Sequence, residues 1–180
     1  MPKLQRKVPP QSPLLKYSLI AITALLILVG LAVRLWLLPV IPVALYHDEL
    51  DHVFTGEAVA RFGTDISGNW QPTQLRSLET LNQTAELPAV FHAAAQLIFR
   101  FGAQSAHIPN AFFGLLSVVL LGLIAFQVTG RKGAGIAVSL ALLLSPWHVH
   151  LSRMTYEATI SLFFQLSFLS AAIGLLAARP

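Results

Sequence analysis

Four apolar runs, 17–38, 108–129, 133–150 and 158–178, decide what this chain can fold into, and Arg34 is the only charged residue inside any of them. A bilayer core about 30 Å thick is crossed by roughly 17–25 apolar residues in a helix. At 1.5 Å per residue, the run 17–38 alone reaches about 33 Å. Apolar residues in these runs are continuous, not spaced at helical or strand period, which marks a membrane protein and not an amphipathic soluble domain. Composition agrees: 55% of residues are hydrophobic and 11% charged, where a soluble domain carries about 25% charged. The chain has no cysteine, so disulfides and thiolate metal sites are excluded. The formal charge of +4 comes from basic residues at the ends of the apolar runs, where membrane topology places them. No nucleic-acid partner is expected.

Charge placement orients the spans. Residues 1–16 hold Lys3, Arg6, Lys7 and Lys16 among Pro2, Pro9, Pro10 and Pro13, which predicts a disordered cytoplasmic tail able to meet anionic lipid. The following run is too long for a signal peptide and lacks a small-x-small cleavage site, so an uncleaved anchor is expected. Segment 87–101 is apolar but short, and His92, Gln96 and Arg100 recur along it every four residues. Such a stripe favours a helix lying at the interface. With that segment flat, Arg131 and Lys132 fall on the cytoplasmic side, as does Arg179. If it spanned, Arg131 and Lys132 would lie outside, against the positive-inside rule. The sequence therefore predicts an all-α integral membrane protein with four transmembrane helices. Two amphipathic surface helices, about 49–62 and 87–101, lie in the first extracytoplasmic loop, 39–107, and a second outer turn spans 151–157. The expected location is the plasma (inner) membrane, with the N-terminus cytoplasmic.

The carboxylates are unevenly distributed. Seven of the eight acidic residues fall between Asp48 and Glu86, and the eighth, Glu157, stands at the mouth of the last apolar run. In the predicted topology both places are on the outer face, where they are expected to form one site. Asp48 is the expected N-cap of the first surface helix, whose face would hold Leu50, Val53, Phe54, Ala58 and Phe62. The dipole there favours ionised Asp48 and Glu49. The second loop offers His148, His150, Arg153 and Glu157, and an acid starting a span must face water or a partner. Carboxylates can act as general base or hold a divalent cation, and arginine pairs well with phosphate. Carboxylate plus arginine at a membrane surface suits a reaction on a phosphorylated lipid, though a merely solvated acidic loop has the same composition. Arg34 either snorkels to the interface or faces the acidic loop or a ligand phosphate. A zinc site is disfavoured: His47 and His52 diverge by about 140° on a helix, and His148 and His150 are two apart.

The order of these features resembles the N-terminal part of the GT-C membrane glycosyltransferases. A first span ends in Arg34-Leu35, followed by His47-Asp48-Glu49, the loop Gly63-Thr64-Asp65-Ile66-Ser67-Gly68 with Pro72, and the segment Pro88 to Gly102. A later span closes with Ser145-Pro146-Trp147, then Ser152-Arg153 and Glu157. The most similar branch holds the protein O-mannosyltransferases and the lipid A aminoarabinose transferases. The resemblance implies transfer of a sugar from a polyprenyl-phosphate donor to a lipid, glycan or protein acceptor on the extracytoplasmic face. It implies a catalytic base at Asp48 with Glu49 beside it, a second acid at Glu157, and a phosphate contact at Arg153. Relatives of that family are several hundred residues long, so the chain is expected to be an N-terminal piece. A non-catalytic four-span protein, such as an assembly subunit or small carrier, is the alternative. A pathway through the membrane is disfavoured, since the spans hold almost no ionisable residues.

Overall fold

The computed structural model describes residues 13–38, 47–64 and 86–177, with some side chains near the ends of these stretches, those of His47 and Asp48 among them, outside the described set. Within it the chain is all helical: α1 (Pro13–Leu35), α2 (His47–Phe62), α3 (Glu86–Ile98), α4 (Ala103–Thr129), α5 (Lys132–Leu143), α6 (Pro146–Leu151) and α7 (Glu157–Ala177). The expected tail 1–12 and the loop residues 39–46 and 65–85 lie outside the described residues.

Two helices are long and apolar enough to cross a membrane, Ser105–Thr129 within α4 and Glu157–Ala177. Ala24–Leu35, Leu87–Ile98 and Lys132–Leu143 are shorter apolar stretches. The surface is inverted relative to a soluble protein. Leu25, Leu28, Phe112, Val128, Phe168 and Leu175 point outward, whereas Arg34, Glu49, His92, Gln96, Asn110 and Thr155 are fully or almost fully buried. Polar side chains gather inside because each finds hydrogen-bond partners there, while the apolar rim suits contact with lipid.

Several boundaries differ from the sequence reading. The first helix starts at Pro13, not 17, because proline is tolerated in a first turn, where the backbone N–H would be unpaired anyway. It stops at Leu35, three residues early, in a turn through Trp36–Leu38 in which Leu37 has φ 53°. Helix α2 starts at His47, so Asp48 sits in its first turn and is not its N-cap. The fourth helix begins at Ala103 instead of 108 and carries Pro109 inside it; it ends where Gly130, at φ 65°, donates its N–H to the Phe126 carbonyl, a left-handed terminus that glycine reaches without strain. The run 133–150 is not one helix. Pro146 cannot continue α5, so α5 ends at Leu143 and a separate α6 begins, with the Ser145 side chain accepting from the His148 N–H at 3.4 Å. The outer turn expected at 151–157 thus narrows to Ser152–Tyr156, and α7 starts at Glu157.

The two short helices differ from expectation in which faces they bury. On α2, Val53 is buried but Phe54 and Phe62 are exposed, and its inward residues include Glu49, His52 and Thr55. On α3 the His92–Gln96 stripe points into the protein, not to the interface, and Leu87, Leu97 and Ile98 point out. Gln96 explains this inversion. Its amide donates to the Val53 carbonyl at 3.0 Å and accepts from the Gly102 N–H at 3.3 Å, tying α3 to α2 and to the start of α4. Arg100 lies beyond the end of α3 and is exposed.

Helix α4 is the pivot, packing against each of the other six helices. Small residues let it approach closely: a Cβ on Gly114 would meet the Ser152 Cβ at 2.5 Å, and one on Gly135 would meet the Gly122 carbonyl oxygen at 2.8 Å. Phe91, Phe113 and Phe163 join α3, α4 and α7, with ring centroids 4.8 and 5.0 Å apart. Such pairs contribute about 1 kcal/mol each beyond their buried area.

Candidate functional site

The two acidic places meet. The Glu49 carboxylate, 0% exposed, accepts the Thr155 backbone N–H at 3.0 Å through Oε1, and the Thr155 hydroxyl donates to the Glu49 carbonyl at 3.4 Å. One turn further along α2, His52 Nε2 lies 3.0 Å from Glu157 Oε2. The first turns of α2 are thereby clamped to the Ser152–Tyr156 turn and to the start of α7.

The clamp has a floor made by α4. His107 Nδ1 donates to the Arg153 carbonyl and stands 3.9 Å from Glu49 Oε1. Asn110 Nδ2 donates to the Tyr156 carbonyl at 2.6 Å. Both brace the backbone of the turn, which otherwise has several carbonyls to satisfy in a buried place. From the far side, Arg153 Nη1 reaches the Val33 carbonyl of α1 at 2.6 Å. Burial holds the Arg153 guanidinium below the usual arginine range, yet an arginine in this setting remains cationic at neutral pH.

A second link joins α1 to α6. Arg34, 0% exposed, donates through Nη1 to the Gly30 carbonyl and through Nη2 to His148 Nδ1, both at 3.0 Å. Arginine has no acceptor, so His148 must accept at Nδ1 and carry its proton on Nε2. Burial, and secondly the neighbouring Arg34 charge, push the His148 pKa down to about 4. His148 is therefore neutral at physiological pH. Arg34 does not snorkel: among the described residues its side-chain partner is His148.

Of the residues expected from sequence, Glu49, Glu157, Arg153, His148 and Arg34 join this one region. His150 is exposed, its ring tilted at 42° to that of Trp147 with centroids 6.1 Å apart. The backbone of Asp48 stands in the same turn of α2 as Glu49, with its side chain outside the described set. Roles also differ within the group. Glu49 is sealed from solvent and acts as a joint, whereas the Glu157 side chain is 47% exposed and open to a reactant. Sequence reasoning missed His107, Asn110 and Thr155, none of which stands in a charged or periodic context. It weighed His52 as a zinc ligand, where the structure gives it to Glu157. Among the described residues, no group of three or more histidine and acidic side chains is arranged to hold a metal ion.

A buried histidine pair completes the geometry. The His52 and His92 rings lie 5.9 Å apart. His92 Nδ1 donates to the Ala106 carbonyl at 2.7 Å, leaving Nε2 with a bare lone pair. His52 Nδ1 and His92 Nε2 are both buried without a hydrogen-bond partner. With Glu157 ionised, His52 donates to it and offers its other nitrogen toward the interior. The arrangement supplies a half-exposed carboxylate backed by an imidazole, beside a cationic turn, which is suited to moving a proton next to a negatively charged leaving group.

Compared with family models, with characterised proteins and with solved structures, the chain matches none.

Proposed function

We propose that this chain is a four-span membrane protein whose outer face carries the acid–base part of a glycosyl transfer site. The crossings are α1, α4, α5 and α7, with the N-terminus cytoplasmic and α2 and α3 lying together at the outer surface. Helix α5 is short for a crossing, about 18 Å at 1.5 Å per residue, and α6 caps it at the headgroup level, where the exposed Trp147 is at home. Arg131 and Lys132 then face the cytoplasm.

The observation that carries the reading is the meeting of the α2 start with the Arg153–Glu157 turn, across more than a hundred residues of sequence. The donor would be a sugar linked to polyprenyl phosphate, held with its lipid in the bilayer. The acceptor is a lipid, glycan or protein hydroxyl. In the step, a carboxylate takes the proton of the acceptor hydroxyl, and the acceptor oxygen bonds to the anomeric carbon. The bond from that carbon to the phosphate oxygen breaks, and polyprenyl phosphate leaves with the electron pair. Asp48 is the base on this reading, Glu49 holds its helix turn, Glu157 with His52 is the second acid–base group, and Arg153 balances the leaving phosphate. A divalent cation at the carboxylates would serve the same charge balance.

The test is sugar transfer from polyprenyl-phosphate donor in membranes bearing the protein. Asp48→Asn should insert normally and abolish transfer; undiminished transfer by that variant would sink the base assignment. The complete burial of Glu49 favours a second reading, a non-catalytic assembly subunit or small carrier that uses the same clamp as a structural joint. That protein would show no dependence on Asp48.

A further inference from the structure

The first half of α1 stands away from the bundle. Its side chains Tyr17, Ile22 and Leu25 are exposed, whereas Gly30 and Arg34 are buried. The clasp is at Gly30, where an added Cβ would collide with the Leu143 side chain of α5 and lie 3.4 Å from Leu115 Cδ1 of α4. Helices α4 and α5, by contrast, stay in contact as far as Gly122 and Gly135. Three helices joined at one end, with one of them free at the other, leave a wedge between α1 and the α4–α5 pair.

That wedge is a cavity of about 340 Å³, with Leu26 and Ile27 of α1, Val119, Leu123 and Phe126 of α4 and Ile136 of α5 in its walls. Ser139, also in the lining, donates its hydroxyl to the Val118 carbonyl at 3.1 Å, so it has no hydrogen to give a ligand. Among the described residues, Lys132 is the only charged one in the lining. It is exposed, at the end where α5 begins, next to the exposed Arg131. The helix dipole at that end also favours an anion. From Lys132 to Leu143, both in the lining, α5 rises about 17 Å at 1.5 Å per residue. That is close to half of a hydrocarbon core about 30 Å thick. The volume suits one extended chain and not a helix, which is about 10 Å across with its side chains.

We propose that this wedge binds one anionic phospholipid, with an acyl chain between α1 and the α4–α5 pair and the phosphate beside Lys132 and Arg131. In the four-span reading the lipid belongs to the cytoplasmic leaflet, opposite the outer site. The apolar wall, one leaflet deep, selects the chain, and the two cations select the headgroup. A sugar or a peptide in the same place would bury polar groups without partners. The proposal rests on α1, α4 and α5 being membrane crossings. It does not rest on glycosyl transfer.

The test titrates phosphatidylglycerol and phosphatidylcholine with matched acyl chains into the full chain in detergent and counts bound lipids and protein copies by native mass spectrometry. One phosphatidylglycerol should bind about fivefold more tightly than phosphatidylcholine, the scale of one lysine at an anionic headgroup. Lys132→Gln should lose most of that preference. Arg100→Gln, which removes an exposed cation outside the cavity, should keep it. Leu123→Trp fills the wedge from a partly exposed position and should weaken both lipids. Equal affinity for the two lipids, or a preference unchanged in Lys132→Gln, overturns the proposal. So does a dimer that Leu123→Trp dissociates, which would give the wedge to a second copy of the chain. Lys132→Gln, at an exposed residue, keeps the test decisive if Leu123→Trp does not fold. Failure here leaves the Asp48→Asn result untouched.

Discussion

His52 Nε2 and Glu157 Oε2 stand 3.0 Å apart, although 105 residues separate them in the chain. This contact fixes the start of α7 against the side of α2. It also leaves the partly exposed carboxylate with one oxygen committed to an imidazole. Replacing His52 with Ala should free the Glu157 side chain and loosen the α2–α7 contact. In a double-mutant cycle with Glu157→Gln, a coupling of about 1 kcal/mol is expected, modest because the acid is half in solvent. Thermal unfolding of the four proteins in one detergent measures it, and a coupling of zero would mean the contact is incidental.

Glu49 is a different case because it is sealed. Glu49→Ala removes the acceptor of the Thr155 N–H and leaves that donor buried, which should cost about 3 kcal/mol. Glu49→Gln retains an acceptor and should cost clearly less. Matching losses in the two variants would show that the negative charge, not the hydrogen bond, holds the turn.

The pH dependence of stability follows from His148. Its pKa is about 4 in the folded protein and about 6.5 when unfolded. Above pH 6.5 both states are neutral and the histidine has no effect. Between 6.5 and 4 the unfolded chain binds a proton that the folded one refuses, so stability falls as the solution is acidified. The full effect is about 3 kcal/mol. His148→Gln should flatten this part of the melting-temperature profile relative to the wild type, and an unchanged profile would place the ring in a wetter environment than the structure gives it.

Gly114 faces Ser152 so closely that a methyl group would sit 2.5 Å from the Ser152 Cβ. Gly114→Ala should push the Ser152–Tyr156 turn off α4, costing about 1–3 kcal/mol and lengthening the Glu49–Thr155 and His107–Arg153 contacts. The companion change Ser152→Gly should restore much of the loss, and no rescue would point to an effect within α4 alone.

Because the chain has no cysteine, topology can be read by introducing single ones. A cysteine at Arg131 should be protected from a membrane-impermeant thiol reagent added outside, and one at His150 should react. Labelling at 131 from outside would reverse the proposed orientation.

The helices were legible because long apolar runs have few other ways to fold, and charge placement led to the expectation that the two acidic places meet, as Glu49 and His52 do with Thr155 and Glu157. Orientation within the short helices was not legible. Period-four spacing identified His92 and Gln96 as one stripe, but a stripe does not say whether it meets water or a neighbour; that was decided by the carbonyls of Val53 and Ala106, distant in sequence. The break at Ser145-Pro146 was visible as residues, yet apolar continuity on both sides masked it. His107 and Asn110 carry no pattern at all, since a backbone brace needs only one side chain in the right place.

The clamp also sets an order of biosynthesis. Arg34 leaves the ribosome long before His148, and Glu49 long before Thr155, with α4 and α5 made between them. Until the α6–α7 turn has been made, the nascent chain holds an arginine and a glutamate whose partners do not yet exist. The clamp is thus a late-closing latch, and a chain stalled before Thr155 would hold both charges unmet.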